Sequence, residues 1–115
     1  MNIKPIIPFE PVASEKIPIG PEWIFQIKWD GVRILSYFDG QEVKLYNRKL
    51  NDRTKIFPEL TDMKSYMSAD SIILDGEVIA LDSNGNPSFH EVMKRDGIRR
   101  VERVAKVSQE VPIFY

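Results

Sequence analysis

Cysteine is absent from this 115-residue chain, and histidine occurs once, at His90. The first absence excludes a disulfide framework and thiolate-ligated zinc, and makes a reducing, cytoplasmic compartment the default expectation. The second excludes a metal site built from several imidazoles. Also lacking is any apolar run long enough to span a bilayer. The opening Met1-Asn2-Ile3-Lys4-Pro5 has no charged stretch leading into an apolar one, so neither export nor contact with a membrane is expected. An excess of one charge is missing too: 16 Lys and Arg against 17 Asp and Glu leave a formal net charge of -1. Capture of a polyanion by the whole field is therefore excluded, and contact with nucleic acid has to come from locally placed basic groups. What remains, 43% hydrophobic and 29% charged residues, describes one soluble domain or part of one, able to bury a core.

Residues 1–20 are proline-rich and aperiodic and are expected to form an irregular surface lead-in. From Trp23 the pattern changes. Trp23, Phe25, Ile27 and Trp29 alternate with Ile24, Gln26, Lys28 and Asp30, the period of a strand, which would put Gln26 and Lys28 on one face. Asp30-Gly31 and Asp39-Gly40 are turn signals that frame further strands over 32–38 and 42–48, an antiparallel meander. Pro58 stands at a first helical position, with Leu60, Met63, Tyr66 and Met67 at helical spacing, so a short amphipathic helix over 58–67 is expected to cover the sheet. Residues 71–81 form a β run interrupted by Asp75-Gly76-Glu77, where a glycine in a strand interior signals close approach of a ligand or another backbone. A turn over 82–87 follows, then Ser88 as the cap of a helix to about residue 95 and a charged segment over 97–109 that reads as helix or loop. A new apolar strand opens at 111–115. The fold class expected is α+β, an antiparallel sheet with short covering helices.

A lysine amine becomes nucleophilic when desolvation or neighbouring cations disfavour its charged form, and it can then attack phosphorus to give a phosphoramidate. Lys28 precedes a turn that exposes it. Arg33 offers the planar fork that suits phosphate oxygens, and Arg48 is placed to converge on the same anion. Asp75 or Glu77 is a candidate for ribose hydroxyls or for magnesium, which takes oxygen ligands and keeps several waters. Any one of these alone reads as a solvated strand end or a surface charge; as an ordered set they point to nucleotidyl transfer.

That set resembles the covalent nucleotidyltransferase superfamily, and most closely the ATP-dependent DNA ligases of bacterial, phage or end-joining type. Lys28-Trp29-Asp30-Gly31-Val32-Arg33 matches the nucleophile motif. Tyr46-Asn47-Arg48 matches the second, arginine-bearing motif, and Leu74-Asp75-Gly76-Glu77-Val78 the Asp-Gly-Glu motif. Gly20-Pro21-Glu22-Trp23, Phe57-Pro58-Glu59-Leu60 and Pro87-Ser88-Phe89 fit the same family. The resemblance implies an ATP-grasp-like adenylation domain, with residues 21–115 as its N-terminal portion. It implies that Lys28 attacks the α-phosphate of ATP, carries AMP and passes it to the 5′-phosphate of nicked double-stranded DNA, with Mg2+ as metal. Arg33 and Arg48 would hold nucleotide and then nick phosphates, Glu77 the ribose or the metal, and Gln26 would lie near the adenine. Asp30 would support the lysine loop, with Asp75 beside it.

The family usually has glutamate where this chain has Gln26; an amide oxygen still accepts from the adenine amino group. The chain is expected to stop before the later motifs and the oligonucleotide-binding-fold domain, its missing partners, and so to have weak or no ligase activity alone. The alternatives are an RNA ligase or an RNA-capping guanylyltransferase, which share the lysine motif. Another is a non-catalytic nucleic-acid-binding fragment using a basic stripe of Lys94, Arg95, Arg99, Arg100, Arg103 and Lys106.

Overall fold

The computed structural model describes residues 4–115; residues 1–3, the start of the expected lead-in, lie outside the described residues. Three strands, β1 (Val32–Phe38), β2 (Val43–Tyr46) and β3 (Ile72–Val78), form an antiparallel sheet in the order β2-β1-β3. The β1–β2 connection is the Asp39-Gly40 turn. Its Asp39 carboxylate accepts from the amides of Gln41 (2.9 Å) and Glu42 (3.0 Å), and Gly40 takes the positive φ of 100° that a side chain disfavours.

The strand expected over 23–30 does not form: these residues have no regular structure and are exposed. The cause lies in β1. A meander would seat that segment on β1 through the Asp30-Gly31 turn, but β2 pairs with one edge of β1 and β3 with the other. With both edges of β1 taken, the segment cannot fold back on it and the alternating apolar residues stay outside, Ile24 at 84% and Ile27 at 71% exposure. The backbone of residues 111–115 likewise does not form a strand and pairs only in the bridge between Ile79 and Phe114.

One sheet face carries Ile34, Phe38, Val43, Leu45 and Val78, all buried, and the covering elements close over it. The expected helix at 58–67 is a 3₁₀ helix, Pro58–Tyr66. Its Thr61 hydroxyl donates to the Pro58 carbonyl (2.7 Å) and Ser65 to the Asp62 carbonyl (2.9 Å), and such bonding to carbonyls three residues back competes with an α ladder. Helix α1 (Phe89–Asp96) begins at Ser88, whose side chain accepts from the Glu91 amide as a cap should. The charged segment resolves into a 3₁₀ turn, Val101–Arg103, and α2 (Val104–Glu110), which buries Val104 and Val107. Among the described residues no helix is long and apolar enough to cross a membrane.

Arg95 is withdrawn from the expected basic stripe. It is fully buried, and its two terminal nitrogens meet the Glu59 carboxylate, each at 2.7 Å, with further bonds to the carbonyls of Val111 (2.9 Å) and Ile56 (3.3 Å). The guanidinium also lies 5.7 Å from the Phe57 ring centroid. One side chain thereby ties α1 to the 3₁₀ helix and to the end of α2. Lys94 is exposed but paired with Glu91 at 2.7 Å; the other exposed cations of the stripe are Arg99, Arg100, Arg103 and Lys106.

The Arg95 guanidinium holds the Glu59 carboxyl below its ordinary pKa even though burial pushes the other way. A depressed carboxylate stabilises the fold above its unfolded pKa, and that contribution is lost as pH falls through the lower folded value. Glu59→Gln is therefore expected to lower the melting temperature at neutral pH. It should also flatten the acid limb of the stability curve, since the titrating group is gone; equilibrium unfolding between pH 7 and 3 checks both. Arg95→Ala, which also empties a packed site, should cost about 3–5 kcal/mol.

Candidate active site

The register of β1 against β3 sets the site. Arg33 lies directly opposite Glu77, and Leu35 opposite Asp75, so Arg33, Asp75 and Glu77 share the sheet face turned away from the helices. Arg33 reaches diagonally to Asp75 in a bidentate pair, Nε to Oδ1 at 2.9 Å and Nη2 to Oδ2 at 2.6 Å, while Nη1 donates to the Phe9 carbonyl. The hydrogen bond from Arg33 holds the Asp75 carboxyl below the usual range. The early chain is thus not free of the sheet: Pro8 is buried, and the Ile6 amide donates to the Tyr37 hydroxyl at 3.1 Å.

Glu77 is in the opposite electrostatic condition. It is half-buried, and burial raises its pKa, while the positive charges of Lys28 and then Arg33 pull it back down. Lys28 is therefore within electrostatic reach of Glu77, although it sits with Gln26 and Asp30 on the exposed, unpaired stretch. What brings that stretch to the sheet is Gly31. A Cβ there would lie 2.2 Å from the Val78 carbonyl oxygen and 2.9 Å from the Ile79 side chain, so only glycine lets the chain pass against the end of β3. The turn signal was legible in the sequence; this close approach was not.

Arg48 projects from a loop beyond β2 and is exposed. β2 ends at Tyr46, opposite Leu35, so the loop that carries Arg48 leaves the sheet toward the end where Arg33 and Glu77 lie. Arg48 and Arg33 are not joined through a common partner. The loop itself is fixed by Asn47, whose side-chain oxygen accepts from the amides of Lys49 (3.0 Å) and Asn51 (2.9 Å), while Leu50 takes a φ of 63°. Asn47 is thus a supporting residue that the motif contained and that attention to charged groups passed over.

The arrangement is open. Two surface hollows, of about 300 Å3 (Gly40, Lys64 and Asp70 among its walls) and about 680 Å3 (Val43, Thr54, Pro58 and Val104 among its walls), lie elsewhere. Neither is lined by Lys28, Arg33, Arg48, Asp75 or Glu77. Among the described residues no three acidic, histidine or cysteine side chains are grouped to hold a metal. With Asp75 engaged by Arg33, Glu77 is the carboxylate of the motif left to face a ligand. That suits magnesium carried in on substrate phosphates, which needs only one or two protein carboxylates, better than a protein-built cage.

A three-stranded antiparallel sheet covered on one face by helices, with a lysine, an arginine–aspartate pair and a half-buried glutamate gathered at one end, is an α+β architecture. The chain belongs to the ATP dependent DNA ligase domain family, whose model matches residues 12–115. It is 46% identical over 90 residues to a probable DNA ligase of Streptomyces avermitilis, covering 76% of this chain and 18% of that protein. It is 37% identical to DNA ligase 2 of Methanosarcina mazei, covering 97% and 19% respectively. It is 38% identical to the multifunctional non-homologous end joining protein LigD of Mycobacterium bovis, covering 70% and 11%. A solved structure of mycobacterial DNA ligase D complexed with ATP and MES superposes with a TM-score of 0.51 at 39% identity, over 59% of this chain and 23% of that one. The chain spans about a fifth of the length of the first two of these relatives.

The Glu77 carboxyl is expected to titrate above an ordinary glutamate when followed by NMR, and higher still in Lys28→Ala or Arg33→Ala, each of which removes a cation that holds it down. A raised carboxyl favours the folded state only while protonated, so its contribution is present at low pH and lost as pH rises through the folded pKa. Glu77→Gln should accordingly leave the fold more stable at neutral pH than the wild type.

Proposed function

We propose that residues 21–115 form the first part of a DNA ligase adenylation domain in which Lys28 is the nucleophile. Its Nζ attacks the α-phosphorus of ATP, the bond to the β-phosphate oxygen breaks, pyrophosphate leaves, and AMP remains on the lysine as a phosphoramidate. The AMP then passes to the 5′-phosphate of nicked duplex DNA, and the neighbouring 3′-hydroxyl displaces it. The later motifs and the oligonucleotide-binding-fold domain of a full-length ligase would complete the site. The observation that carries this reading is the pairing of β1 with β3, which sets Arg33 of the nucleophile motif opposite Glu77 of the Asp-Gly-Glu motif and within a bidentate contact of Asp75.

Each residue has work that its surroundings permit. Half-buried Glu77 is suited to accept from ribose hydroxyls and to meet magnesium carried by the nucleotide; bound there, the metal would screen phosphate charge. Gln26, beside the lysine, supplies an amide oxygen for the adenine amino group. Arg33 keeps its fork on Asp75, so a phosphate oxygen is best received at Nη1, where it need only replace the neutral Phe9 carbonyl. Arg48, exposed on the loop that follows β2, is assigned to the same anion. Positioning and charge stabilisation account for catalysis of this kind. DNA as the nucleic acid follows the names of the relatives.

Intact mass after incubation with ATP and magnesium tests the first step. The wild-type chain should gain one AMP, slowly and in part of the population, and Lys28→Arg should gain none. Equal labelling of the variant would remove Lys28 from this role; no labelling of the wild type would show that the first step needs the later motifs as well.

A further inference from the structure

Tyr115 lies far along the sequence from the three motifs, yet it is built into one of them. The glycine of Asp75-Gly76-Glu77 faces the covered side of the sheet, opposite Ile34. A Cβ on Gly76 would lie 2.9 Å from Cζ of Tyr115, 3.1 Å from its Cε1 and 3.2 Å from its hydroxyl. The strand-interior glycine is therefore there to admit an aromatic ring. The hydroxyl of that ring reaches both strands that carry the site: the Ile34 carbonyl on β1 at 2.7 Å and the Leu74 carbonyl on β3 at 3.2 Å. It also accepts from the fully buried Ser36 hydroxyl at 3.3 Å. Ile34 adjoins Arg33 and Leu74 adjoins Asp75, so the hydroxyl spans the two backbones at the level of the Arg33–Asp75 pair.

We infer that Tyr115 is a positioning residue for nucleotide binding: it sets β3 against β1 from beneath, so that Asp75 and Glu77 are held at fixed places on the face above. The kinetic part of this inference rests on the proposed reaction with ATP; the geometric part does not. Because Glu77 is assigned to the ribose, which is bound before and during the reaction, loss of its placement weakens ground-state and transition-state binding alike. Such a loss raises KM and leaves the maximal rate little changed. A side chain that only supports folding would instead reduce the fraction of active protein, which lowers the apparent maximal rate and leaves KM alone.

The test is Tyr115→Phe, which keeps the ring and removes the hydroxyl, in the 115-residue chain. The KM of ATP for self-labelling is expected to rise about fivefold with the maximal rate within about twofold. Amide exchange at residues 74–78 should quicken by about tenfold relative to β2, as a local opening rather than a global one. Gly76→Ala, which forces a methyl into the ring, should raise KM too, and Gly76→Ala with Tyr115→Ala should be no worse than Tyr115→Ala alone, because the clash has gone. An unchanged KM with unchanged exchange in Tyr115→Phe would overturn the inference, as would a fall in maximal rate at constant KM. Should the wild type take up no AMP, the fault lies with the first step in this portion and not with Tyr115, which is then judged by exchange alone: faster exchange at residues 74–78 upholds its hold on the motif, and unchanged exchange ends it.

Discussion

Both edges of β1 are occupied, and most of the structure follows from that. Pairing with β3 sets Arg33 across from Glu77 and within reach of Asp75, which turns two motifs distant in sequence into one cluster. Pairing with β2 brings the loop of Arg48 to the same end. The same double pairing denies the stretch before β1 a place beside that strand, so Lys28 stands on backbone that is tethered at Gly31 and outside the sheet ladder. Arg33, Asp75 and Glu77 sit on hydrogen-bonded strands and Lys28 does not, a division that would suit the proposed transfer from a nucleotide to a DNA end.

The two arginine–carboxylate pairs show how burial changes what one chemistry does. Arg95 is locked into the interior beside Phe57, its terminal nitrogens shared between the Glu59 carboxylate and the carbonyls of Val111 and Ile56, and the pair serves packing. Arg33 and Asp75 also form a bidentate pair, but side-on through Nε and Nη2 and at the surface, where Nη1 rests on a carbonyl that a stronger acceptor can replace. Arginine is fitted to both tasks because its fork is planar and always charged.

Much of this was legible beforehand. The Asp39-Gly40 turn, the strands on either side of it, the Ser88 cap and the three motifs are written in local chemistry, and local chemistry decided them. Three features were not. The alternation of residues 23–29 is a strand pattern, but a strand needs an edge, and which edges are free is a property of the sheet as a whole. Arg95 carries the same letter as its exposed neighbours, and only the packing of α1 on the 3₁₀ helix distinguishes it. Gly76 announced a close approach without saying by what; the ring that fills the space comes from residue 115, 39 positions on.

The order in which such a sheet assembles is itself a consequence of its topology. β1 and β2 are joined by a tight turn, so their pairing closes a loop of a few residues and costs little chain entropy. Arg33 and Asp75 are 42 residues apart, and their meeting must wait until the whole span between β2 and β3 has been gathered in. The hairpin is thus expected early and the docking of β3 late, which makes the cluster of Arg33, Asp75 and Glu77 the last part of the sheet to exist. A chain that has stalled during folding would hold a native hairpin and no site.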